Sequence, residues 1–162
     1  MNRLLMCLFA LSVTATAAAA PTPRIAIIID DIGYRWADDQ AVLDLPRQIA
    51  VSVIPDSPHG THVAARAAQQ EREVLLHLPM QALQDATGVG ASLKNGLQVT
   101  TSERDLRRYL AHALQQVPGA IGINNHRGSR LTQHTGAMRV LMRALACQRN
   151  LYFIDSYTTA ES

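Results

Sequence analysis

Residues Ile25–Tyr34 read IAIIIDDIGY, an apolar run that ends in two adjacent carboxylates, Asp30 and Asp31, followed closely by Gly33. Short Ile- and Val-rich runs without polar alternation are the mark of a strand buried on both faces, as in parallel sheets. Read that way, the acidic pair falls at the strand's C-terminal end, where α/β proteins collect their chemistry. Four more segments share the pattern: Ile49–Ile54, Glu73–Leu78, Ala120–Asn125 and Leu151–Asp155. Between them lie stretches with apolar residues recurring at three and four, which predict helices over Trp36–Leu45, Thr61–Gln70, Glu103–Gln116 and Gly136–Gln148.

The helix boundaries carry their own signals. Ser102 with Asp105 three residues on resembles a capping box, and Ser57 or Thr61 is placed to cap the second helix. Pro46 and Pro118 stand where helices should stop. Alternating strands and helices imply a parallel sheet with right-handed crossovers, either open and doubly wound or closed as a barrel. Five strands in 162 residues fall short of a (β/α) barrel of about 250 residues, so the chain reads as the front two-thirds of such a domain. The connection from Leu78 to Ser102 is unusually long and carries an Asn95-Gly96 turn signal, suggesting a loop or small hairpin beside the site. Its Gly88-Val89-Gly90 does not complete a nucleotide-binding fingerprint.

Residues 1–20, MNRLLMCLFALSVTATAAAA, combine a basic start at Arg3, an apolar run and an alanine-rich end, the pattern of a cleaved secretory signal. The apolar part is shorter than the roughly 20 residues that span a bilayer. A periplasmic or secreted protein with no stable membrane span after cleavage is expected, with a single domain over residues 21–162. Cys7 would leave with the signal, and Cys147 has no intrachain partner for a disulfide. Basic residues are scattered among acids at a net charge of +2, which does not suggest nucleic-acid binding.

Polar groups converge on one rim when the strand-end rule is applied throughout. The first strand presents Asp30 and Asp31, the third His77, the fourth Asn124, Asn125 and His126, and the fifth Asp155 and Ser156. Carboxylates and imidazoles around one mouth suit a divalent metal such as Zn²⁺, which in catalytic sites takes three nitrogen or oxygen ligands and keeps a position open. Singly, each residue has a plainer reading: the aspartates as helix caps, His77 as a hydrogen-bonded core histidine. Caps and core histidines need not fall at the ends of several strands, so the set together favours a metal site. His59 and His62 could line the same mouth or simply enter a helix, and His112 and His134 read as surface. Arg127 and Arg130 could orient a carboxylate or sugar, or pair with acids. Ser129 lacks the Gly-x-Ser-x-Gly frame of a hydrolase nucleophile.

Two other chemistries begin with a strand ending in acids. A response-regulator receiver pairs acids around Mg²⁺, but here the third strand ends in His77 and the leader points outside the cytoplasm. Haloacid-dehalogenase-type phosphatases need aspartates two apart, and position 32 is isoleucine.

Taken together, IAIIIDDIGY, SVIPDSPH, REVLLHLPM, GINNHRGSRLT and FIDSYTTAES resemble the divergent polysaccharide deacetylases, a branch of the NodB-like carbohydrate esterases, over Ile25–Ser162. The resemblance implies a distorted (β/α) barrel of the NodB type, here apparently truncated in its C-terminal part. It implies a divalent metal, Zn²⁺ by preference, and removal of acetyl groups from an N-acetylated polysaccharide or peptidoglycan fragment. Carried over, Asp30 looks like the general base and Asp31 a metal ligand. His77 matches the first histidine of the deacetylases' His-x-x-x-His pair, but the second position holds Gln81. His126 is the substitute third ligand, with Asn125, Arg130, Asp155 and Ser156 expected to contact substrate. The late histidine that such deacetylases use as general acid belongs to a motif beyond Ser162. A catalytically inactive glycan-binding or envelope-organising module with the same fold is the alternative function.

Overall fold

The computed structural model of the chain describes residues 24–85, 96–148 and 151–162. The expected export segment, residues 1–20, and the Gly88-Val89-Gly90 stretch lie outside the described residues. Five strands form one parallel sheet in the order β1-β2-β3-β4-β5: β1 (Ile28–Ile32), β2 (Ala50–Val53), β3 (Val74–Met80), β4 (Ala120–Arg127) and β5 (Tyr152–Ile154). The connections carry α1 (Trp36–Leu43), α2 (Gly60–Gln69), α3 (Glu103–Gln116) and α4 (Thr135–Ala146). Since strand order follows chain order without reversal, crossovers of one hand place the helices on one face. That is the winding of a (β/α) barrel rather than of a doubly wound sheet, and it corresponds to the expected fold class.

β3 is the spine of the core. Leu75, Leu76 and Leu78 are fully buried, each burial contributing about 1.5–3 kcal/mol. Against the sheet pack Val63 and Ala67 of α2, Leu106 and Leu110 of α3, and Leu141 and Leu145 of α4. Gly122 on β4 permits the close approach of β5, because a Cβ there would stand 2.5 Å from the Tyr152 ring.

All five expected strands and four expected helices form, with shifted ends. β1 begins at Ile28 instead of Ile25, because it is an edge strand whose first residues have no paired neighbour, and Ile25 is 91% exposed. β3 and β4 run on past the expected ends, their ladder continuing in register from His77–Asn124 to Met80–Arg127. Ser102 caps α3 as expected, its Oγ accepting the Asp105 N–H at 3.1 Å. Neither expected cap of α2 acts as one. Ser57 Oγ donates to the Ile54 carbonyl at 2.6 Å, and Thr61 Oγ1 to the Gln116 carbonyl at 2.8 Å. α4 starts earlier than expected because His134 caps it, Nδ1 accepting the Ala137 N–H at 3.0 Å.

Candidate metal site at the strand ends

Neighbouring residues of a regular strand point to opposite faces, so Asp30 and Asp31 should not serve one site. The backbone resolves the conflict locally. The β1–β2 register slips between Ile29 and Ile32, and Asp31 takes a left-handed φ of 61°. Aspartate tolerates this region better than most residues, and the irregularity turns both carboxylates toward His77 on β3 and Asn124 and His126 on β4. Immediately after, Gly33 at φ 124° is packed so tightly that a Cβ would stand 2.0 Å from Ser57 Oγ. Its N–H donates to Oδ1 of the buried Asp39 on α1 at 3.1 Å, tying the β1–α1 loop to the helix.

Asp31, His77 and His126 present one ligand atom each, and all three atoms lie within 4.8 Å of one another. Asp31 Oδ1 stands 3.2 Å from His77 Nε2 and 2.9 Å from His126 Nδ1. A tetrahedral ion with bonds of about 2.0–2.1 Å requires ligand separations of about 3.3–3.4 Å, so a small inward or outward adjustment fits the trio to Zn²⁺. The imidazoles meet edge to face with centroids 4.9 Å apart. His77 is buried, and burial pushes its pKa below the usual histidine value, with the Asp30 carboxylate opposing the shift. A ring neutral at physiological pH is the form that binds metal.

Asp30 sits just behind the trio, its Oδ1 4.0 Å from His77 Nδ1 and accepting from Asn124 Nδ2 at 2.8 Å. A cleft of about 640 Å³ opens beside the aspartates, lined by His126, Arg127 and Tyr34 over the apolar side chains of Ile29, Val42 and Met80. Arg127 is held in that wall by Asp85, which also accepts the Ala82 N–H at 2.8 Å.

The expected substrate-contacting residues occupy different positions. Asn125 is fully buried with its amide engaged inside the protein, Oδ1 accepting the Ser156 N–H and Nδ2 donating to the Arg127 carbonyl, both at 2.8 Å. Ser156 reaches the site through its Oγ, 3.3 Å from Asn124 Nδ2. Asp155 is exposed and caps the Tyr157 N–H at 2.9 Å. Arg130 is half-buried, and its own N–H anchors the turn after β4 on the Gln81 carbonyl at 3.1 Å. Gln81, at the missing-histidine position, is a structural residue: its Oε1 accepts the Val99 N–H at 3.0 Å. His112 is exposed and pairs with Asp56 at 2.8 Å, while His59 and His62 flank Trp36 at ring distances of 5.4 and 5.3 Å.

Sequence reading passed over two residues here, Ser52 and the central part played by Asn124. Ser52 is the lone polar residue in the run Ile49–Ile54, and its hydroxyl donates to Asn124 Oδ1 from complete burial. That interruption of an otherwise apolar strand was its one available signal.

The sequence model of the family described as divergent polysaccharide deacetylase matches residues 27–162. The chain belongs to this family. Among relatives of the deacetylase-family chain, the uncharacterized protein YibQ of Escherichia coli K12 is 42% identical over 135 residues, covering 83% of this chain and 41% of YibQ. An uncharacterized protein of Haemophilus influenzae is 35% identical over 142 residues, covering 86% of this chain and 48% of its own length. The chain thus spans less than half of the curated relatives it matches. The crystal structure of the uncharacterized protein ATU2773 from Agrobacterium tumefaciens shares the fold, with a TM-score of 0.76 at 21% identity over 91% of this chain and 59% of that one. Among the described residues no helix is long and apolar enough to cross a membrane.

Proposed function

We propose that this chain carries a deacetylase site that hydrolyses the acetamide of an N-acetylated envelope glycan outside the cytoplasm, with Zn²⁺ held by Asp31, His77 and His126. The observation that supports this best is the gathering of three ligand atoms within 4.8 Å beside a second carboxylate that is not one of them. A divalent cation bound there would supply Lewis acidity, polarising the acetyl carbonyl and lowering the pKa of water. Asp30 has the position of a general base. Its Oδ1 is occupied by the Asn124 amide, leaving Oδ2 to accept the proton of the attacking water. The cleft would seat the sugar, its apolar floor against the ring and Arg127 and Tyr34 against its polar groups.

The test joins elemental analysis of the purified protein to acetate release from chitin oligomers and peptidoglycan fragments. Bound metal and acetate are both expected, and both should disappear in Asp31→Ala. Asp30→Asn should keep the metal and lose about 10²-fold or more in rate. Turnover by the metal-free protein would sink the reading. The second reading, a glycan-binding module without turnover, draws on Gln81, which holds main chain where the deacetylases place a second histidine. Metal without acetate release would favour it.

A further inference from the structure

We infer that Asn124 is the positioning residue of this site, fixing the tautomer of His77 and the orientation of Asp30 through one side-chain amide. The inference rests on reading Asp31, His77 and His126 as a cation site. Asn124 is 2% exposed, and its amide makes four hydrogen bonds, the full capacity of the group. Oδ1 faces His77 Nδ1 at 2.9 Å and accepts from Ser52 Oγ, while Nδ2 donates to Asp30 Oδ1 at 2.8 Å and meets Ser156 Oγ at 3.3 Å. The partners come from four different stretches of chain: β1, β2 and β3, each from within the strand, and the segment after β5.

Which end of the amide faces which partner follows from chemistry. The Asp30 carboxylate only accepts, so the NH₂ group must face it, because the flipped amide would press two acceptors together. Oδ1 then faces His77 Nδ1, and that nitrogen must carry the ring's hydrogen. In the neutral ring the hydrogen at Nδ1 leaves Nε2 as a bare lone pair, 3.2 Å from Asp31 Oδ1. A ligand-ready histidine and an oriented base are thus set by the same side chain. Metal-binding histidines are generally fixed by a partner on their other nitrogen, and losing that partner costs about 10–100-fold in affinity. What is particular here is that the partner also holds the proposed base.

The test is long-range ¹⁵N–¹H NMR of the imidazoles in the metal-free chain at about pH 8, where histidine is neutral, combined with Zn²⁺ titration against a chromophoric chelator. His77 should be protonated at Nδ1 in the unaltered protein. In Asn124→Leu the proton should redistribute toward Nε2, and Zn²⁺ affinity should fall about 10–100-fold. Asn124→Asp, nearly isosteric, keeps an acceptor for His77 but opposes Asp30. It should preserve the Nδ1 tautomer while acetate release falls further than Zn²⁺ affinity. Thermal unfolding of each variant separates loss of fold from loss of positioning. An Nε2-protonated His77 in the unaltered protein, or unchanged tautomer and affinity in Asn124→Leu, overturns the inference. The expected tautomer in a protein that binds no Zn²⁺ would instead refute the cation site and leave the positioning intact.

Discussion

Two polar hubs are buried around β3, one just before it begins and one at its midpoint, and they are built on opposite principles. Two residues before β3 stands Arg72, 4% exposed, whose guanidinium is saturated. Nη1 donates to the Pro46 and Ile49 carbonyls at 3.1 and 2.6 Å, Nη2 to those of Leu43 and Leu45 at 3.1 and 2.7 Å, and Nε to Gln70 Oε1 at 3.4 Å. Five donors meet five acceptors, nothing is left over, and the α1–β2 connection is held to the sheet. At the midpoint of β3, on the tautomer inferred above, His77 Nε2 and the carboxylate of Asp31 turn lone pairs toward each other and toward His126. A saturated hub stabilises the fold, whereas a hub rich in acceptors suits the cation proposed for it. On that proposal, the difference separates the functional hub from the structural one without reference to any motif.

The comparison is most directly broken at Arg72. Replacing it by Met leaves several buried carbonyls without donors, at about 1–3 kcal/mol each where water cannot reach them. A loss of at least about 3 kcal/mol in urea unfolding is expected for Arg72→Met, with Zn²⁺ affinity of the folded protein unchanged. Equal losses of stability and metal affinity would mean that the two hubs are not independent. At the other hub, Zn²⁺ at 100 times its Kd should stabilise the unaltered protein by about 2.7 kcal/mol. His77→Leu should abolish that increment while changing the metal-free stability by less than about 1.5 kcal/mol.

The smallest effect is the pH slope of the metal-free protein. Burial lowers the pKa of His77 in the folded state, so the unfolded chain takes up the proton first as pH falls. The contribution is complete above about 6.5, the unfolded value, and is lost progressively as pH drops from there toward the lowered folded value. His77→Leu should flatten this part of the stability profile, and Arg72→Lys should leave its slope unaltered.

The contrast also explains what could be read from sequence. Strand-end position drew attention to Asp30, Asp31, His77 and His126, because apolar runs announce a buried strand and the residue that ends one stands out. The family resemblance then separated base from ligands. Arg72 was not legible: in EREVLL it looks like a solvated charge before a strand, and its partners are main-chain carbonyls, which have no signature in sequence. Asn125 was legible as important but not in kind, since its alternation with Asn124 along β4 decides which amide faces the site. The ends of β1 and β3 were misjudged because pairing with a neighbour, not composition, decides where a ladder stops.

The left-handed φ of Asp31 has a consequence for how the site can be lost over time. Most residues pay roughly 1–2 kcal/mol to sit there, while glycine, asparagine and aspartate do not. Drift away from metal binding therefore has an easy path through Asn or Gly at position 31 and a steep one through Val or Ile. A lineage that gave up the cation but kept the fold should show the former pair. The same asymmetry makes Asp31→Asn, rather than Asp31→Val, the substitution that removes a charge without also straining the bend in β1.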